Sequence, residues 1–242
     1  MSEKVSSILL NNYSRSFTRS SKNFIKGEIT SPYMKFKEID IMLEVLENLK
    51  PKRVLEYGCG YSSVIFPKYL EAGASWQSIE HNKEWFEMIA KQCADAENTT
   101  IHHVEKNDLS SEGADGFKDY VAFPKELGQF DLILVDGVAR EACVETCHDL
   151  LNDDGLLIVH DINRPSYQEP VKQFKNWLIL QDFRKSSGGF GFASKDLEVS
   201  KLFDVDKHKR IWQVDSDLIN FFKFKFVLGK KGKPFSLESS SD

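Results

Sequence analysis

Between Met34 and Leu49 the apolar residues Met34, Ile39, Ile41, Met42, Val45, Leu46 and Leu49 recur at mixed three- and four-residue steps, the period of a helix with one buried face. The spacing predicts a helix that stops at Lys50-Pro51, because proline cannot continue it. Beyond it the pattern changes to short apolar runs bounded by turn residues. These predict strands at Arg53–Tyr57, Trp76–Glu80, Thr99–Glu105, Phe130–Val135 and Gly155–Val159. Helices fall between them: Ser62 to Leu70, kinked or delayed by Pro67; Asn82 to Ala94, capped by Asn82 with Glu84 in its first turn; and Arg140 to Leu151. Strands alternating with helices predict an α/β fold, a doubly wound and mostly parallel sheet. Its two most continuous apolar runs, Phe130–Val135 and Gly155–Val159, belong at the centre, where both faces are covered.

The flanks read differently. Residues 1–49 are expected to form an N-terminal cap and lead-in helix, residues 50–199 the core, and residues 200–242 a C-terminal extension with a disordered, Ser-rich end. After Pro170 a helix is expected through Phe174, Trp177, Leu178 and Leu180, then a hairpin over Phe183 to Ser194 turning at Gly188-Gly189. Phe222, Phe224, Phe226 and Leu228 alternate with Lys223, Lys225 and Val227, which predicts a half-buried C-terminal strand with lysines facing water.

Composition narrows the function. The chain has 242 residues, 41% of them hydrophobic and 29% charged, enough apolar material for one large domain. Its formal net charge of -5 offers no positive field for nucleic acid or an anionic membrane, so a small-molecule substrate is favoured. The four cysteines sit at unrelated spacings and imply no disulfide framework. No run of about 18 apolar residues occurs and no signal segment is evident, so a cytoplasmic location is expected.

The chemistry centres on Glu56-Tyr57-Gly58-Cys59-Gly60, a glycine turn directly after the first strand. Glycines there let the chain turn sharply and a ligand approach the backbone. Open α/β sheets bind nucleotide cofactors at the carboxyl ends of the strands, where strand order reverses. Glu80 ends the second strand, where a carboxylate can accept hydrogen bonds from ribose hydroxyls, and its spacing would also suit a dinucleotide. A dinucleotide fingerprint, however, needs a third glycine where this chain has Ser63. An NAD(P)-dependent oxidoreductase is thus the alternative, and a non-catalytic module retaining the fold is a third possibility.

Four segments in order, Val54 to Ser63, Ser78 to His81, Phe130 to Gly137 and Leu150 to Asp161, resemble the successive motifs of class I S-adenosylmethionine-dependent methyltransferases. The resemblance covers roughly residues 50–195 and implies a Rossmann-like sheet with S-adenosylmethionine as cofactor. It implies that Glu56, Gly58 and Gly60 surround the methionine part, that Glu80 holds the ribose, and that Asp108 contacts adenine. Asp136 and Asp161, at the ends of the fourth and fifth strands, fall beside the cofactor on the methyl-acceptor side, and Asp136 is counted among the cofactor-binding residues as well. His160, Asp161 and Asp136 are the candidates for the catalytic proton step. The same strand ends resemble the magnesium site of small-molecule O-methyltransferases, with Asp136, Asp161 and Asn163 as candidate ligands. Asn163 stands one residue later than that pattern asks. The expected reaction is O-methylation of a small hydroxylated metabolite such as a sugar or phenol.

Overall fold

The computed structural model describes residues 32–108, 114–184, 186–223 and 233–240. Strands β1 (Arg53–Tyr57), β2 (Ser75–Glu80), β3 (Thr99–His103), β4 (Phe130–Val135), β5 (Leu151–His160), β6 (Asn176–Gln181), β7 (Phe190–Ser194) and β8 (Ser236–Ser239) join in one sheet ordered β3-β2-β1-β4-β5-β7-β6-β8. The first five are parallel; β7 lies antiparallel between β5 and β6, and β8 is antiparallel to β6. From β1 the chain builds outward through β2 and β3, then returns to lay β4 on the other side of β1. That reversal places the β1 and β4 ends side by side at the switch point where such sheets bind ligands.

Residues along each central strand alternate between two cores. Val54, Leu132, Leu134 and Ile158 face a layer with Ile41, Met42 and Val45 of helix α1 (Phe36–Leu49) and Trp212 of helix α7 (Val205–Lys223). Leu55, Ile133, Val135, Leu157 and Val159 face the opposite layer, with Cys143, Val144 and Cys147 of helix α5 (Arg140–Leu150) and Val171 of helix α6 (Pro165–Val171). Burial on both sides is why these strands read as unbroken apolar runs.

Local signals set the other boundaries. Helix α2 (Tyr61–Ile65) passes into a 3-10 turn over Phe66–Tyr69 with Pro67 in its first turn. Asn82 caps helix α3 (Lys83–Gln92) by accepting from the Trp85 N–H at 2.9 Å. A short helix α4 (Lys118–Ala122) precedes β4.

Three expectations are corrected. The stretch around Trp177 to Leu180 is a strand, not a helix: Leu178 and Leu180 pack in one core while Ile179 packs in the other. A short apolar run buried on both faces carries no period that separates the two structures. Phe222 lies within α7, whose buried face carries His208, Trp212 and Ser216 at four-residue steps, rather than in a strand. Residues 224–228 of that expected strand and residues 1–31 of the expected cap lie outside the described residues. The C-terminal strand that extends the sheet is β8, Ser236–Ser239, within the Ser-rich end expected to be disordered and not at 222–228. Among the described residues no helix is long and apolar enough to cross a membrane.

Candidate functional site

At the switch point the turns after β1 and β4 touch backbone to backbone. Gly58 has φ +89°, and a Cβ there would stand 2.7 Å from the Cα of Gly137. A Cβ on Gly137 would meet the Gly58 nitrogen at 2.8 Å and the Tyr120 hydroxyl at 2.2 Å. Any other residue at either position would wedge the strand ends apart. Gly60 is extended, and its N–H donates to the Ser63 hydroxyl at 3.1 Å as α2 begins.

Glu56 sits beneath this turn instead of opening into the space above it. Only 1% exposed, its carboxylate accepts from the Ser62 hydroxyl, from Ser63 at 2.6 Å, from Ser78 at 2.7 Å and from the Trp76 indole at 2.9 Å. Burial penalises the charge more than these four donors favour it, so its pKa is raised to about 7. The donors come from α2 and β2, and Glu56 ties the turn to both.

Glu80 is the acid at the mouth. It accepts the backbone N–H groups of His81 (2.9 Å), Asn82 (2.8 Å) and Cys59 (3.3 Å), and its Oε1 lies 2.9 Å from the His81 ring. Burial opposes its charge, but these hydrogen bonds outweigh it and hold the carboxyl below its usual range. Glu80 lines an open cleft of about 560 Å³ together with His81, Asn82, Glu84, Trp85 and Met88. Trp85 is anchored to the glycine turn by a 2.6 Å hydrogen bond to the Cys59 carbonyl, and Tyr33 stacks on its ring. Asp108 is exposed beyond β3, next to Asn107, whose side chain accepts from the Asp119 N–H at 2.9 Å.

The ends of β4 and β5 carry a second, ionic constellation. The Asp136 N–H donates to the Tyr57 carbonyl at 2.9 Å, which fixes the aspartate against the glycine turn. Its Oδ1 lies 2.8 Å from Nδ1 of His160 and 3.0 Å from the Arg140 guanidinium. Arg140 also reaches the His160 carbonyl at 2.6 Å and Asp161 Oδ2 at 3.1 Å, bracing the two strand ends. Asp161, in the left-handed region at φ 63°, accepts the Gly188 N–H. His160 is buried. That burial disfavours its charged form, but Asp136 and Glu38 outweigh it and raise the pKa to about 10.

These contacts decide how a metal would fit. Asp136, His160 and Asp161 offer ligand atoms within 4.8 Å of one another. Both carboxylates are already bridged by the Arg140 guanidinium, and one His160 nitrogen is spent on Asp136. Asn163 does not join them: its amide nitrogen donates to the Arg184 carbonyl at 2.7 Å and the Ser187 carbonyl at 3.0 Å, and its oxygen accepts from the Asp182 N–H at 3.3 Å. A small dication needing about six oxygens at short range does not suit this set.

Glu38 and Arg184 escape the sequence reading. The fully buried Glu38 carboxylate holds the Arg184 guanidinium, accepts the Lys35 N–H at 2.6 Å and lies 3.6 Å from Nε2 of His160. A signal did exist: Glu38 precedes Met42 by four residues and Val45 by seven, so it falls on the apolar stripe of α1. A carboxylate on such a stripe needs a buried partner.

The sequence matches the family described as protein-L-isoaspartate(D-aspartate) O-methyltransferase (PCMT) across residues 12–181. Over 85 residues it is 34% identical to arabinogalactan O-methyltransferase 2 of Arabidopsis thaliana, a stretch covering 35% of this chain and 28% of that protein. The O-methyltransferase from Bacillus cereus, solved in complex with SAH, is similar with a TM-score of 0.50 at 13% identity, covering 79% of this chain and 90% of that one. A methyltransferase from Geobacter sulfurreducens gives 0.50 at 10% identity over the same shares, 79% and 90%. At this identity the likeness is one of fold, the Rossmann-like fold of class I methyltransferases.

Proposed function

The chain belongs to the protein-L-isoaspartate(D-aspartate) O-methyltransferase family, and from that premise we propose that it is an S-adenosylmethionine-dependent enzyme that methylates a hydroxyl of a small molecule. One observation carries the cofactor half: Glu80 stands beside the Gly58 turn at the switch point and opens on the cleft. Gly58 and Gly137, having no Cβ, let the two turns pack backbone to backbone beside the cleft, and the Glu80 carboxylate suits a pair of ribose hydroxyls. S-adenosylmethionine, when bound, supplies a methyl group on a sulfonium sulfur and keeps the bonding electrons as the thioether leaves.

Around it the residues divide the work. Gly58 and Gly60 admit the methionine part, Glu80 holds the ribose, and Asp108 stands on the adenine side. Glu56 shapes the turn from below. Asp136, partly exposed and pinned through Oδ1, orients the acceptor and takes its proton as the new oxygen–carbon bond forms. His160, held as an imidazolium, positions Asp136 and does not act as the base. Asp161 secures Arg140 and the Gly188 turn.

A sugar hydroxyl is the favoured acceptor, supported by the similarity to an arabinogalactan O-methyltransferase. The family description favours a second reading, a carboxylate acceptor. Titration calorimetry with S-adenosylmethionine, S-adenosylhomocysteine and NAD, followed by an acceptor screen for homocysteine release, tests both halves. Tight NAD binding without S-adenosylmethionine binding would overturn the cofactor. Cofactor binding with no turnover on any acceptor would favour a non-catalytic module. A product methyl that resists mild base is an ether, as expected; a base-labile one is an ester and selects the carboxylate reading.

A further inference from the structure

Three carboxylates surround one imidazole where helix α1 meets the end of β5. His160 has Asp136 Oδ1 at 2.8 Å from Nδ1, and Glu38 Oε2 at 3.6 Å and Asp161 Oδ1 at 3.9 Å from Nε2. Two guanidiniums face the same three acids: Arg140 pairs Asp136 and Asp161, and Arg184 pairs Glu38. Asp182, which also contacts Arg184, has Lys37 at 3.3 Å. Within the inner set three negative charges meet two fixed positive ones, and a protonated His160 closes the balance. Buried ions left unpaired are costly, so the closed set holds its geometry firmly.

Glu38 is the member that joins this cluster to the rest of the acceptor side. Besides His160 it holds Arg184 and accepts the Gly189 N–H at 3.3 Å, both from the connection between β6 and β7. That connection is otherwise stitched to β5 through Asp161 and Asn163. We propose that Glu38 is a positioning residue for methyl transfer: through His160 it sets the Asp136 carboxylate, and through Arg184 and Gly189 it sets the 182–189 connection, so one buried carboxylate aligns the base with the acceptor wall. This rests on Asp136 serving as the base, as read above. Glu38 is fully buried and acts only through its partners.

The test compares the wild-type chain with Glu38→Gln and Glu38→Asp by two independent readouts. The first is the NMR spectrum of the His160 ring nitrogens, assigned with His160→Gln, together with the Gly189 amide; it needs neither cofactor nor turnover. In Glu38→Gln both sets of resonances are expected to move. The second is kinetic: kcat should fall on the order of 10- to 100-fold, the penalty of a misplaced catalytic group. S-adenosylmethionine affinity should stay within about twofold, because the partners of Glu38, namely Lys35, His160, Arg184 and Gly189, lie outside the glycine turn and the Glu80 cleft, and Glu38→Asp should recover part of kcat. Should Glu38→Gln fail to fold, Arg184→Lys is read in the same way. Unmoved His160 and Gly189 resonances, or resonances that move while kcat stays at the wild-type value, overturn the inference. Loss of S-adenosylmethionine binding in the wild type would sink the functional reading instead, and the ring spectrum would still decide whether Glu38 sets His160.

Discussion

Replacing Glu56 by glutamine isolates the cost of the buried acid under the glycine turn. Its pKa is raised from 4.5 to about 7 in the folded chain, because burial outweighs four hydrogen bonds. The unfolded chain releases this proton near 4.5 and the folded chain keeps it until about 7. Between those values the folded state binds more protons, so the Glu56 contribution to stability is fully present below 4.5 and is lost as pH rises through about 7. A shift of that size corresponds to about 3 kcal/mol at 1.36 kcal/mol per unit. Glutamine keeps the shape and an acceptor oxygen for the Trp76 indole but does not titrate, and the serine hydroxyls can turn to meet its amide. Urea unfolding of both proteins in parallel from pH 4 to pH 8 measures the difference, in which other titrating groups largely cancel. The stability of Glu56→Gln relative to wild type should rise by about 3 kcal/mol across the window and level off above it. A flat difference would mean that Glu56 titrates in the fold as it does in the unfolded chain, the donor cage offsetting burial in full.

Three further outcomes follow from the same geometry. Glu80→Ala should weaken S-adenosylmethionine binding by about 1.5 to 3 kcal/mol, the range for hydrogen bonds to a charged group, and calorimetry showing unchanged affinity would remove Glu80 from the cofactor site. Gly58→Ala should cost about 1 to 3 kcal/mol of stability from its positive φ alone, with more from the contact with Gly137; a melting temperature equal to wild type would show that the two turns can separate freely. Turnover should persist in the presence of a chelator, since Arg140 already bridges Asp136 and Asp161, whereas activity that collapses with chelator and returns with magnesium would show that the arginine yields its place to a metal.

What could be read along the chain and what could not divides by the distance over which contacts are made. The five parallel strands and their glycine turn were legible because each depends on neighbours in sequence: apolar runs, Asn82 as a cap, Pro51 and Pro67 as breaks. Strand β6 was missed because its covering comes from both cores, and Trp177 to Leu180 suits a helix equally well by composition. Glu56 was placed by motif but not by environment: its acid-glycine pattern suggests a group facing the ligand, while the donors that enclose it, Ser62, Ser63, Ser78 and Trp76, carry no such label. His160 suits a base by its place at the end of a strand; that Glu38, 122 positions earlier, lies beside it is not written in the spacing.

The same division bears on how the protein would change its acceptor. The side-chain hydrogen bonds that fix Glu56, Glu80 and Trp85 around the glycine turn join residues between Glu56 and Trp85, within β1, α2, β2 and α3 and the turns between them. The side proposed for the acceptor instead joins α1, the ends of β4 and β5, and Arg184 and Gly188 from the connection between β6 and β7, segments held together by largely buried ion pairs and hydrogen bonds. The two sets touch where the Asp136 N–H meets the Tyr57 carbonyl and Gly58 packs on Gly137, so a substitution around Glu38, Arg184 or Asp161 that keeps the charges paired can alter the second set while leaving those backbone contacts in place. One that leaves a charge unpaired is penalised by burial before any question of specificity arises. Changes of acceptor are therefore expected to come as compensated pairs, Glu38 with Arg184 or Asp161 with Arg140, rather than as single replacements. Double-mutant cycles on those two pairs would show it: coupling energies near zero would mean that each residue acts alone and that the charge cluster does not constrain the acceptor side as a unit.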